Sequence, residues 1–114
     1  MQKTTLQAGP VERLATGFTF VEGPVWHGNG YWYFSDIPEN RIQTVTPSGQ
    51  VEIHRDPSGN SNGLTLDRTG RLLACEHGNR RVSIADERGS GSTLADAFEG
   101  KRLNSPNDLV THST

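Results

Sequence analysis

The 114-residue sequence contains one cysteine, Cys75, so no disulfide can close within it. Eleven Lys and Arg face thirteen Asp and Glu, a formal net charge of -2. That balance provides no basic surface for phosphate backbones or anionic lipids. No apolar run approaches the roughly 18 residues of a membrane-spanning helix. The first fourteen residues, MQKTTLQAGPVERL, hold a lysine but no apolar stretch behind it, and do not read as a secretory signal. These absences predict a cytoplasmic protein that binds neither nucleic acid nor membrane. The four histidines, at 27, 54, 77 and 112, are scattered without a second ligand at helical or hairpin spacing, so a transition-metal cluster has no signal.

What the sequence has is glycine, thirteen in all, placed periodically. Gly23 and Gly63, Gly30 and Gly70, Arg41 and Arg81, and Gly49 and Gly89 are each 40 residues apart. At the same offset Asp36 meets Glu76, Ile42 meets Val82, and Ser35 meets Cys75. A third start, Asn107-Asp-Leu109, follows Asn62-Gly-Leu64 by 45 residues. A period of this length is the mark of a repeat architecture.

Each repeat reads as strands. The clusters HGNG (27–30) and DRTG (67–70) sit between apolar runs, as do TPSGQ (46–50) and DERGS (86–90), and each is a hairpin signal. Tyr31–Phe34, Arg41–Val45 and Arg71–Ala74 are aromatic, β-branched or aliphatic runs of strand length. Leu94–Phe98 is the one stretch that could form a helical turn, and it is too short to change the class. Four strands per repeat of about 40 residues predict all-β blades of a propeller. Blade 1 is placed at about 18–58 and blade 2 at about 60–100, with the first strand of a third blade at about 105–114.

In such blades the start of the innermost strand and the loop between the second and third strands lie on one face of the disc. That face is expected to gather Glu22, Asn62 and Asn107 at the strand starts, with 36–40 and 76–79 in the loops. The hairpins carrying His27 and Asp67 fall on the opposite face.

Five segments then carry a resemblance: Val21-Glu-Gly-Pro-Val-Trp26, Phe34-Ser-Asp-Ile-Pro-Glu-Asn-Arg-Ile42, Asn62-Gly-Leu-Thr-Leu-Asp67, Gly70-Arg-Leu-Leu-Ala-Cys-Glu-His77 and Gly100-Lys-Arg-Leu-Asn-Ser-Pro-Asn-Asp108. Over residues 10–114 the chain resembles the N-terminal part of the SMP-30/gluconolactonase/LRE family. The resemblance implies a six-bladed propeller with one divalent cation on its axis, calcium ahead of zinc, that hydrolyses lactones; some relatives act on other esters or on organophosphates. It implies that Glu22 and Asn107 ligate the metal and that Asn62 binds substrate, with Asn104 and His77 as further pocket candidates. The general base and remaining ligands are implied in blades beyond residue 114.

These residue types suit that chemistry. A hard cation takes oxygen ligands, and one carboxylate with amide carbonyls leaves coordination open for water and substrate. Bland readings stand beside these: Asn62-Gly63 and Asn107-Asp108 are also ordinary turn chemistry. Cys75 reads as a small buried hydrophobe rather than a nucleophile. Trp26, Trp32, Tyr31 and Tyr33 read as blade-packing aromatics, and Arg80-Arg81 as a strand-surface feature.

Six blades require roughly 240 residues, so 114 are expected to be part of a longer propeller, inactive alone. Unclosed blade edges are expected to favour self-association. The alternative is a non-catalytic propeller fragment that serves as an interaction surface.

Overall fold

The computed structural model describes residues 8–113. Residues 1–7 of the leading stretch and Thr114, the end of the segment assigned to a third blade, lie outside the described residues. The protein is all-β. Strands β1 (Val21–His27), β2 (Tyr31–Asp36), β3 (Arg41–Val45) and β4 (Val51–Arg55) form one antiparallel sheet in sequential order. Strands β5 (Ser61–Leu66), β6 (Leu72–Glu76), β7 (Arg81–Ala85) and β8 (Gly91–Ala95) form a second. A two-residue pair, β9 (Ala97–Phe98) with β10 (Lys101–Arg102), follows. Among the described residues no helix is long and apolar enough to cross a membrane.

The 40-residue offset holds in the register. Val21 pairs with Asp36 as Ser61 pairs with Glu76, and Trp26 with Trp32 as Leu66 with Leu72. Both inner strands carry an extra residue near their start, between Glu22 and Val25 and between Ser61 and Leu64. A bulge of this kind bends a strand and re-aims its side chains. The hairpins repeat too. Gly30 and Gly70 donate to the carbonyls of His27 and Asp67 at 2.9 and 3.0 Å. Both glycines have positive φ, 103° and 85°, where a side chain would be strained.

The core lies between the sheets. Tyr33 and Ile42 of the first sheet meet Leu64, Leu72 and Ala74 of the second, with Val25, Tyr31, Leu66 and Ala85 around them. Cys75 is wholly buried in β6, and burial followed by the negative charge of Asp108 pushes its thiol up to about 11. Trp32 and Phe34 alternate to the other side of β2 from Tyr33. They line an apolar groove of about 430 Å³ with Leu14, Ala15 and Phe18, Phe18 meeting Phe34 edge-on at 4.9 Å.

Three features differ from the sequence expectations. Leu94–Phe98 is not helical: Leu94 and Ala95 complete β8, where Ala95 pairs with Val82, and Ala97 pairs with Arg102. Arg81 is no strand-surface feature. Its guanidinium reaches back across the β6–β7 turn to the buried Glu76 at 2.9 Å. Arg80 stands at φ 53°, where the first repeat has Asn40 at 59°, and donates to the Leu103 carbonyl at 2.9 Å. Residues 103–113 form no assigned strand. They run beside β5, tied by the Gly63 amide to the Asn107 carbonyl at 2.8 Å and by the Thr111 hydroxyl to the Leu66 carbonyl at 3.0 Å.

Candidate functional site

Glu22, Asn62 and Asn107 come from three successive passes of the chain, and all three line one cavity of about 360 Å³. Gly23, Gly63 and Asp108 complete much of its wall. The two bulges explain why the first two residues can meet there. Each falls where an inner strand starts, and each is followed by a glycine over which the next pass of chain is laid. A Cβ on Gly23 would overlap the Asn62 carbonyl oxygen, and one on Gly63 would stand 2.6 Å from the Asp108 Cα and 2.7 Å from the Asn107 oxygen. Only glycine admits passes this close.

Burial and hydrogen bonding distinguish these side chains from structural ones. Glu22 and Asn107 are exposed and Asn62 is half-buried. None of the three side chains has a hydrogen-bond partner among the described residues. The Asp108 carboxylate, by contrast, accepts the Leu109 amide at 2.9 Å. The backbone beneath them is fixed. Ser35 is fully buried and pairs with Glu22 in register, and its hydroxyl donates to the Asn62 carbonyl at 2.9 Å. The donors available to a ligand are therefore a carboxylate at the start of β1, an amide at the start of β5 and a second amide on the segment that runs beside β5, with a second carboxylate alongside.

That second carboxylate, Asp108, was not singled out by the sequence, although its place next to Asn107 was the available signal. His77 and Asn104 do not line this cavity. His77 is exposed just past β6, its amide donating to the Asn60 carbonyl at 3.3 Å and its carbonyl accepting the Ser105 hydroxyl at 3.4 Å. The Asn104 side-chain oxygen accepts from Arg80 at 3.5 Å. His27 lies at the far end of β1, where its ring stacks on Tyr31 at 4.8 Å. Among the described residues no group of three or more His, Cys, Asp or Glu is placed to hold a metal. Any cation here would draw on amide oxygens as well as carboxylates.

The model of the SMP-30/Gluconolactonase/LRE-like region matches residues 20–114. The chain belongs to that family. The match takes in both four-stranded sheets and every residue of the cavity wall. A gluconolactonase of Zymomonas mobilis is 35% identical over 115 residues, covering 88% of this chain and 32% of its own length. Among solved structures, a gluconolactonase of Xanthomonas campestris, described as important in glucose secondary metabolic pathways, superimposes with a TM-score of 0.83. It is 35% identical and covers 88% of this chain and 34% of its own. A second, provisionally described as a gluconolactonase, gives a TM-score of 0.81 at 41% identity, over 90% of this chain and 36% of its own. A streptogramin B lyase structure, at 18% identity and a TM-score of 0.54, shares the fold alone. The chain thus spans about a third of the length of these gluconolactonases, and its two sheets are blades of a propeller-type fold, not closed on themselves.

Proposed function

We propose that the protein to which this chain contributes is a lactone hydrolase of the gluconolactonase type, a six-bladed ring whose first blades are 18–58 and 60–100. The observation that carries the reading is the convergence of Glu22, Asn62 and Asn107 on one cavity, their side chains without a hydrogen-bond partner among the described residues. In this proposal Glu22 and Asn107 hold a divalent cation, calcium ahead of zinc, and Asn62 hydrogen-bonds the substrate. The donor set fits: carboxylate and amide oxygens suit a hard cation, and their low total charge leaves room for neutral ligands. When bound, such a cation would polarise a lactone carbonyl and stabilise the oxyanion formed by water attack. The part played by this chain is positional. Glu22 supplies the anchoring charge, and the Asn62 and Asn107 amides orient oxygen atoms around it. Ser35 and Gly63 keep the strand starts from moving. The general base is assigned to residues beyond the 114, in keeping with relatives three times as long. Taken alone, the 114-residue chain is proposed to be inactive.

The test is gluconolactone hydrolysis, followed by acid release, with a protein carrying these residues within a full ring. Glu22→Ala should lower kcat/KM at least 100-fold, by analogy with the loss of other electrostatic groups at reacting centres, and should weaken calcium binding measured calorimetrically. Undiminished turnover with undiminished calcium affinity would refute the reading. A second reading, an interaction fragment that self-associates, is supported by the exposed Trp26, Phe98 and Val110. Association of the isolated chain independent of divalent metal would favour it.

A further inference from the structure

Asn40 and Arg80 stand 40 residues apart, each the last residue of the turn between the second and third strands of its sheet, and each at positive φ, 59° and 53°. Asn tolerates this left-handed backbone. Arg adopts it rarely, and such a conformation persists where surrounding contacts hold it. The contacts of the two residues differ in reach but not in target. The Asn40 side-chain oxygen accepts the Ser58 amide at 3.1 Å and the Asn60 amide at 2.7 Å, on the connection that leads into Asn62. The Arg80 Nε donates to the Leu103 carbonyl at 2.9 Å and its Nη2 to the Asn104 side-chain oxygen at 3.5 Å, on the connection that leads into Asn107. That second connection carries the β9–β10 pair, and Asn107 follows Asn62 by 45 residues where Asn62 follows Glu22 by 40. A short amide spans the first gap, and a long guanidinium spans the second.

Two further bonds join the same turn to the same segment. The Ser105 hydroxyl donates to the His77 carbonyl at 3.4 Å, and Arg102 donates to the Asn79 carbonyl at 3.3 Å. Pro106 stiffens the short span that remains, and at its end the Gly63 amide donates to the Asn107 carbonyl at 2.8 Å. Residues 103–107 form no assigned strand, so ties at the two ends of the span decide where Asn107 stands. We propose that Arg80 is a positioning residue for the strand-start cavity: it sets Asn107 through Leu103, as Asn40 sets Asn62 through Asn60. His77 and Asn104, which do not line the cavity, belong to this clamp. The clamp itself is independent of the lactonase reading; its effect on cation binding and turnover rests on that reading.

The experiment has two arms. The first is amide hydrogen exchange in the 114-residue chain. Arg80→Asn places in the left-handed turn a residue that favours it but is too short to reach Leu103, so the turn forms while the clamp is lost. The Gly63 amide should then exchange about tenfold faster, as expected for one lost charged hydrogen bond, with the amides of β6 unchanged. Arg80→Lys, long enough to reach the carbonyl, should recover most of the protection. The second arm uses a protein carrying these residues within a full ring. There Arg80→Asn should weaken calcium binding about tenfold and lower kcat for gluconolactone by a similar factor with KM little changed. Arg71→Ala, which breaks the ion pair with Asp67 on the β5–β6 hairpin, should alter neither. Unchanged Gly63 exchange in Arg80→Asn, or a loss that Arg80→Lys does not recover, would overturn the clamp. Faster exchange with intact calcium affinity and turnover would overturn its role at the site. A wild-type ring that neither binds calcium nor opens the lactone refutes the lactonase reading instead, and the exchange arm still decides the clamp.

Discussion

The hydroxyl of Ser35 donates to the main-chain carbonyl of Asn62 at 2.9 Å and lies 2.9 Å from the hydroxyl of Ser61. Ser35 also pairs in register with Glu22, so one buried residue joins the strand of the carboxylate to the strand of the amide. Ser35→Ala removes the hydroxyl and leaves a buried carbonyl without its donor. The expected loss is about 1–3 kcal/mol of unfolding free energy, measured by urea denaturation. Ser48→Ala, on the exposed β3–β4 turn where the hydroxyl meets only Thr46, should stay within about 0.5 kcal/mol. Equal effects at the two positions would show that the Ser35 bond contributes nothing specific.

Gly63 tests the close approach of the third pass. Its φ is not in the positive region, so Gly63→Ala meets a purely steric obstacle, the Asp108 carboxylate together with the backbone of Asn107 and Asp108. Because turning the Asp108 side chain leaves the main-chain overlap in place, relief requires residues 104–109 to move away. Limited proteolysis should cut this segment faster in the variant while the far-ultraviolet spectrum of the sheets is retained. Gly89→Ala is the contrasting case, with open space around the new methyl but a φ of 81°. It should cost about 1 kcal/mol and leave cleavage near 104–109 unchanged.

The periodic parts of this molecule could be read from sequence because they rest on local requirements. Gly30, Gly49, Gly70 and Gly89 occupy turns that need positive φ, and such positions announce themselves as glycine. Glu22 and Asn62 were legible as candidates because each stands at the start of an inner strand, and Asn107 because the sequence repeats that start, although the residues around it form no assigned strand. What could not be read depends on the reach of long side chains across the seam between sheets. Arg55 and Gly89 are 34 residues apart, and nothing local marks them as neighbours. Arg81 was misread because Arg41, its repeat partner, turns to the exposed Asp56 instead of inward. Leu94–Phe98 was ambiguous because short apolar spacing cannot distinguish a helical turn from an edge strand.

Cys75 gives a prediction about reactivity. The thiolate is the reactive species, and burial together with Asp108 holds the thiol protonated up to about pH 11. At pH 8 the native chain should therefore react with a disulfide reagent far more slowly than the urea-unfolded chain, by at least about 100-fold. Reaction of the native chain at the rate of the unfolded one would mean that the β6 strand opens freely.

Glu76 sets the acid limit of the fold. Burial alone would raise its pKa, but hydrogen bonds from Arg81 and Asn79 and the Arg81 charge outweigh burial and hold it below the ordinary value of 4.5. A carboxylate depressed in the folded state binds fewer protons there than in the unfolded chain. Its stabilising contribution is complete above about pH 4.5 and is lost as pH falls through the lower, folded value. Urea midpoints taken from pH 7 downward should thus hold level until near pH 4.5 and then decline. Glu76→Gln removes the charge that Arg81 needs, so the variant should be less stable at pH 7 and its decline below pH 4.5 shallower than that of the wild type. Parallel curves for the two proteins would show that the Glu76 carboxylate does not set the acid limit.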